Sequence, residues 1–177
     1  MESKTKLVTG RVRFAYASVW EPTAYKGEDV KYSISLIIPK SDTKTIADIM
    51  TACDNAVKEG RAKLGDEIAA KLKLPLRDGD MERPGEEAYS NSYFINAFSK
   101  DKPQIVDKAI NPITEESEFY SGCFGRASLS FYAFNKDGHK GVGCGLLNLQ
   151  KLSDGELLRT RSSPEEDFKA SEEDFLD

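Results

Sequence analysis

Between Phe124 and Phe134 the chain alternates so strictly that it reads as a β-strand. Ala127, Leu129, Phe131 and Ala133 take the odd positions; Phe124, Arg126, Ser128, Ser130, Tyr132 and Phe134 take the even ones. Successive side chains of a strand point to opposite faces, so the odd residues form a core face. The even face carries rings and an arginine where a solvated strand carries Lys, Glu and Thr. Asn135-Lys136-Asp137-Gly138 comes next. Asp-Gly supplies the positive φ of a tight hairpin turn, so the chain doubles back. The return strand, Lys140 to Gln150, has Gly141, Gly143 and Gly145 at alternate positions. Bare positions on one face let a backbone, a large ring or a ligand come close. Such a face is either a nucleic-acid platform, with rings for bases and cations for phosphates, or a covered sheet packed against a helix.

The chain before this hairpin supplies more strands and one helical stretch. Residues 5–20 read as a first strand, with Val8, Val12, Phe14 and Tyr16 on one face and Arg11 and Arg13 on the other. Trp20 and Tyr25 bracket a Pro- and Gly-containing loop. The two rings either pack beneath that loop or stand ready to stack on bases. Residues 30–38 are a second strand, with Val30, Tyr32, Ile34, Leu36 and Ile38 facing in and Lys31, Ser33 and Ser35 facing out. The two strands pair as a hairpin with Arg11, Arg13 and Lys31 on its polar face. From Ser41 or Asp42, a plausible N-cap, Ile46, Ile49, Met50, Cys53 and Val57 recur at helical spacing. Residues 76–90 read as a solvated loop, 92–98 as a third strand and Gln104 to Asp107 as a short fourth.

Several chemistries find no support. There is no P-loop, and Gly141, Gly143 and Gly145 have neither the spacing nor the following helix of a dinucleotide motif. Cys53, Cys123 and Cys144 lie far apart, so they suggest neither a disulfide framework nor zinc ligands. The single histidine, His139, sits beside the predicted turn. Asp78, Asp80 and Glu82 are the residues a metal-dependent nuclease would have to use, but they miss calcium-loop spacing and read as loop. No cofactor or metal is expected, and the chain is not expected to be an enzyme. No apolar run reaches the length of a membrane span. The start, MESKTKLVTG, lacks the apolar stretch of a signal peptide, so the protein is expected to stay in the cytoplasm of the cell that makes it.

The net charge of −5 is an average over two unlike parts. Pro164 to Asp177 holds seven acids and one lysine, a balance of −6, which leaves the rest at about +1. A like-charged terminal block is typically an interaction tail. Phe168, Phe175 and Leu176 are isolated apolar beads in a composition that cannot fold alone. We therefore divide the chain into a domain over 1–155 and a flexible acidic tail over 156–177. The expected fold is mainly β with an inserted helix (α+β).

Three segments together resemble a family of phage-encoded single-stranded DNA-binding proteins: TGRVRFAYASVWEP, FYSGCFGRASLSFYAFN and HKGVGCGLLNLQKL. With the helix between them they cover about residues 5–152. The resemblance implies an OB-fold-like antiparallel Greek-key barrel, sequence-tolerant binding of single-stranded DNA in phage replication or recombination, and an acidic tail that recruits partner proteins; by their charge, the tail's acids are also expected to compete for the DNA groove. A homodimer is compatible with it. On the alternation argument, Arg11, Arg13, Lys31, Arg126, Lys136 and Lys140 are the candidate phosphate contacts. Trp20, Tyr25, Phe124, Tyr132 and Phe134 are the candidate stacking platforms. Asp174, Phe175, Leu176 and Asp177 are the candidate partner contacts. The competing reading is a structural or adaptor protein of a virus that uses the aromatic sheet face as a subunit interface.

Overall fold

The computed structural model describes residues 4–24, 29–65, 72–136 and 138–158. The hairpin is present and longer than the sequence suggests. Strand β7 (Phe124–Lys136) pairs antiparallel with β8 (His139–Ser153), from Phe124 opposite Ser153 to Lys136 opposite His139. The connection is two residues long, and Gly138 takes φ +87°, as the Asp-Gly signal requires. Ala127, Leu129, Phe131 and Ala133 are all buried. The even residues lie on the outer face.

Around this hairpin the sheet closes on itself. β7 pairs with β2 (Val12–Thr23), β2 with β3 (Lys31–Pro39), and β3 with β5 (Ser92–Ser99). β5 pairs with β8, Phe98 opposite Gly145. Five strands thus form an OB-fold-like Greek-key barrel. It is not purely antiparallel, because β8 runs parallel to β5 and to the short β6 (Gln104–Val106). Phe14, Ile34, Leu36, Ile95, Leu129 and Leu149 fill the interior. Helix α1 (Thr43–Glu59) adds Ile49, Ala52, Cys53 and Ala56 to the same core. Asp42 caps it, accepting from the Thr45 backbone N–H, and Gly60 ends it. A short α2 (Arg61–Leu64) follows. Met50, placed in the apolar stripe by spacing, is exposed.

The first predicted strand is two strands. β1 (Lys6–Val8) pairs with β7 at Ser128–Ser130, while β2 pairs with it at Phe124–Gly125. Between them Thr9 is fully buried: its N–H donates to the Ala127 carbonyl, and its hydroxyl accepts the Ala127 N–H. This step breaks the alternation, so Val8 is exposed rather than inward. A second break falls at Tyr16, which takes φ +47° beside a register shift in the β2–β3 pairing and is also exposed. Val30, expected to face in, precedes β3 and is exposed.

Residues 76–90 are not a solvated loop. They form β4 (Leu76–Asp78), one turn of helix α3 (Gly79–Glu82) and a 3-10 turn at Glu87–Tyr89. This segment lies over the outer face of β2, β3 and β5. Tyr89 is 1% exposed, sits edge-on to Phe94 at 5.1 Å, and packs with Ala15 and Ile37. Its hydroxyl donates to Ser35 Oγ at 3.0 Å. Hence residues 34–38 of β3 are buried on both faces, not alternately. Truncating a buried ring of this size costs about 3–5 kcal/mol, whereas a solvated loop residue stays within about 0.5 kcal/mol. Tyr89→Ala is therefore expected to lose about 3–5 kcal/mol and Tyr89→Phe about 1 kcal/mol, read by urea unfolding.

Candidate nucleic-acid interface

The cover over the outer face stops short of Asn96 and Phe98. By strand parity these two follow Phe94 on the outside of β5, and Phe98 is 45% exposed. Next to them β8 presents Gly141, Gly143 and Gly145, and beyond β8 stand Tyr132 and Phe134 of β7. The chain from Lys73 to Asp78 closes the fourth side. Lys73 exchanges backbone hydrogen bonds with β8, donating to the Lys140 carbonyl at 3.2 Å and accepting from the Val142 N–H at 2.9 Å. Three residues on, β4 pairs with β5. Gly141 makes this possible: a Cβ there would stand 2.3 Å from the Lys73 carbonyl oxygen. The result is a groove of about 400 Å³, with Phe98, Tyr132 and Phe134 among its walls and Lys73, Arg77 and Lys136 beside them.

The groove has the chemistry of a stacking channel. Burial pushes the Tyr132 phenol up from its ordinary value, with Cys144 adding to the shift. Arg77 forms a 3.3 Å ion pair with Glu82, both partly exposed. Lys140, at the edge, donates to the Leu64 carbonyl at 3.1 Å. Cys144 and Cys53 lie in the core, and burial raises both thiols, Cys53 to about 12. Neither carries the thiolate that nucleophilic chemistry needs.

The remaining predicted residues lie elsewhere. Phe124 and Phe134 stand ten positions apart on β7, roughly 33 Å at strand rise. At the Phe124 end the guanidinium carbons of Arg11 and Arg13 sit 4.8 and 5.4 Å from the centre of the Phe124 ring. Arg11 donates to Ser153 Oγ at 2.6 Å. Arg13 donates to the carbonyls of Gly122 at 3.1 Å and Glu156 at 2.7 Å, and Arg126 to that of Thr9 at 2.9 Å. Each guanidinium keeps further N–H donors, but each is already tied to the protein's own backbone or side chain. Lys31 stands opposite Thr23 and Arg13 opposite Ile37, so the three cations of the first hairpin do not share one patch. Lys31 is on the outer face two residues from Ser33, which pairs with Phe98. Trp20 is partly buried against the core and donates from Nε1 to the Phe119 carbonyl at 3.0 Å. Lys102 lies 5.1 Å over its ring, beside a second hollow of about 390 Å³. Tyr25 and residues 174–177 fall outside the described residues. Sequence reasoning missed Phe98, Asn96, Arg77 and Lys73. For Phe98 and Asn96 a signal existed, since both share the outward parity of β5.

The family model for the single-stranded DNA-binding protein of Enterobacter phage Enc34 matches residues 5–176. The chain belongs to this family. A curated relative, putative protein p50 of Acyrthosiphon pisum secondary endosymbiont phage 1, is 30% identical over 164 residues, 86% of each chain. Among solved structures, the Enc34 single-stranded DNA-binding protein in complex with single-stranded DNA superposes with a TM-score of 0.76 at 22% identity, over 88% of this chain and 90% of that one. The single-stranded DNA-binding protein gp2.5 of bacteriophage T7 gives 0.61 at 12% identity, over 91% and 98%. At these identities the likeness is one of fold.

In this member of the Enc34 family the acids considered for a nuclease have structural partners. Lys40 Nζ bonds Asp78 at 3.0 Å and Asp80 at 2.8 Å. Asp78 also caps α3 through the Asp80 N–H, and Asp80 accepts the Asn91 N–H at 2.9 Å. The cluster pins the covering segment to the end of β3. The Lys40 hydrogen bonds hold both carboxyls below the usual Asp value, and the two acids raise Lys40 to about 12. A depressed carboxyl pKa contributes stability that is present above the unfolded Asp value near 3.9 and is lost as pH falls through the folded value. The raised Lys40 contributes stability that is present below its ordinary value and is lost as pH rises through about 12. Lys40→Met should therefore flatten the loss of urea stability between about pH 5 and 2 relative to the parent chain. An unchanged acid limb would assign that loss to other carboxyls.

Proposed function

We propose that the chain binds single-stranded DNA without base preference, in the groove between β5 and the tip of the β7–β8 hairpin. The observation that carries this reading is the convergence of Phe98, Tyr132 and Phe134 with Lys73, Arg77 and Lys136 around one outward hollow. Bases stack on rings, each worth about 1–3 kcal/mol, while cations follow the phosphates. Family membership and the Enc34 complex support the ligand class. Lys31, on the same face as Phe98, extends the cationic track, and Lys140 borders it. Arg11, Arg13, Phe124 and Arg126 form the opposite end, where a longer strand would arrive after leaving the groove. Such a protein coats single strands during phage replication or recombination in the host cytoplasm.

The acidic tail is read as partner-recruiting, through Asp174, Phe175, Leu176 and Asp177, and as a competitor for the cationic groove. Fully extended, residues 159–177 span up to about 65 Å, enough to pass round the barrel. Two contacts with the barrel lie past Gly155. Leu158 donates its N–H to the Ser121 carbonyl at 2.9 Å, and Glu156 is held by Arg13. The tail is therefore proposed to begin beyond Leu158.

The test is fluorescence anisotropy of a labelled oligothymidine, titrated with the full chain and with a chain ending at Ser163. Affinity should fall with salt, with a slope of about −0.7 per phosphate neutralised. Tyr132→Ala should weaken binding by about 5- to 150-fold at unchanged slope. Lys136→Gln should reduce the slope by about 0.7. Tail removal should tighten binding at low salt. If neither chain binds, the DNA reading fails, and the aromatic groove is left as a protein interface.

A further inference from the structure

The three alternate glycines of β8 meet different neighbours. A Cβ at Gly141 would collide with the Lys73 carbonyl oxygen at 2.3 Å, so this position admits the Lys73–Asp78 segment. A Cβ at Gly145 would lie 3.2 Å from Ser130 Oγ, a close but adjustable contact. At Gly143 the three nearest atoms all belong to one side chain: Tyr132 Cζ at 2.6 Å, Cε2 at 2.7 Å and Oη at 2.8 Å. Tyr132 stands directly opposite Gly143 in the ladder. Its ring therefore occupies the space a side chain would fill, resting on the β8 backbone, while 48% of the residue stays exposed.

We propose that Gly143 is a positioning residue for nucleic-acid stacking: its missing side chain seats the Tyr132 ring on the β8 backbone, so that the outward ring face is held ready for a base. The inference rests on the groove reading above. A ring already held by the strand beneath it loses little further freedom when a base arrives, and ordering of side chains on binding is a real cost. The blocking atoms at Gly143 are the far end of a side chain, not backbone. Gly143→Ala is thus accommodated by the ring swinging away with the barrel kept, which separates positioning from folding.

The experiment compares the full-length parent, Gly143→Ala, Tyr132→Leu and the double variant by oligothymidine anisotropy across salt, with circular dichroism as the fold check. Gly143→Ala should bind about 5- to 100-fold more weakly at unchanged salt slope. The double variant should bind no more weakly than Tyr132→Leu alone. Parent-like affinity in Gly143→Ala, or a loss that adds fully to that of Tyr132→Leu, overturns the proposal. A second measurement does not depend on that variant folding. The ring should shift the Gly143 Hα resonances of the free parent upfield, and Tyr132→Leu should abolish the shift. Absence of the shift overturns the proposal too. If Tyr132→Leu leaves affinity unchanged, the groove reading itself fails, and this inference with it.

Discussion

The rest of the molecule depends on the pairing of β7 with β8. That ladder runs the whole length of the hairpin, and the barrel closes because β7 takes β2 on its far edge while β8 takes β5 on its own. Pairing at a fixed register decides which face each side chain meets, since a shift of one residue would exchange the faces. The chosen register turns Ala127, Leu129, Phe131 and Ala133 into core and sets Tyr132 and Phe134 against glycines. A fully buried Leu or Phe contributes about 1.5–3 kcal/mol, so these positions leave little freedom in the register.

The hairpin also separates two kinds of basic, aromatic surface. At its open end, Arg11, Arg13 and Phe124 form a cation–π stack, and the arginines hold the chain at Ser153 and Glu156. At its tip, rings and cations surround a hollow with room for a ligand. A body whose formal charge is close to neutral has to attract phosphates by local placement rather than by net field. Much of its charge is spent internally, as in Lys40 between Asp78 and Asp80. The groove cations stand at the rim of an open face, with Arg77 paired there to Glu82.

What the sequence revealed follows from where local pattern and tertiary structure agree. Alternation found β7, and helical spacing with an Asp cap found α1, because in each the apolar period matches a single buried face. It failed where a second layer covers a strand. Ser35 and Ile37 are buried by Tyr89, which arrives from a segment rich in Gly, Pro and charge. It failed again at Thr9-Gly10, where tertiary hydrogen bonds interrupt the strand, and at Tyr16, where a left-handed residue does so without a Gly to announce it. Half of the groove was visible as the outer face of β7. The other half comes from β5 and from the insertion at Lys73–Asp78, which only the closure of the barrel brings opposite Tyr132.

The central claim is that single-stranded DNA takes the hairpin-tip end of the barrel. Amide and side-chain chemical-shift mapping of the isotope-labelled full chain, with and without a short oligothymidine, tests it most directly. The account predicts shifts concentrated at Arg77, Asn96, Phe98, Tyr132, Phe134 and Lys136, with Arg11, Arg13 and Phe124 little changed by an oligonucleotide too short to leave the groove. Shifts centred on Arg11, Arg13 and Phe124, with the groove residues unmoved, would contradict it.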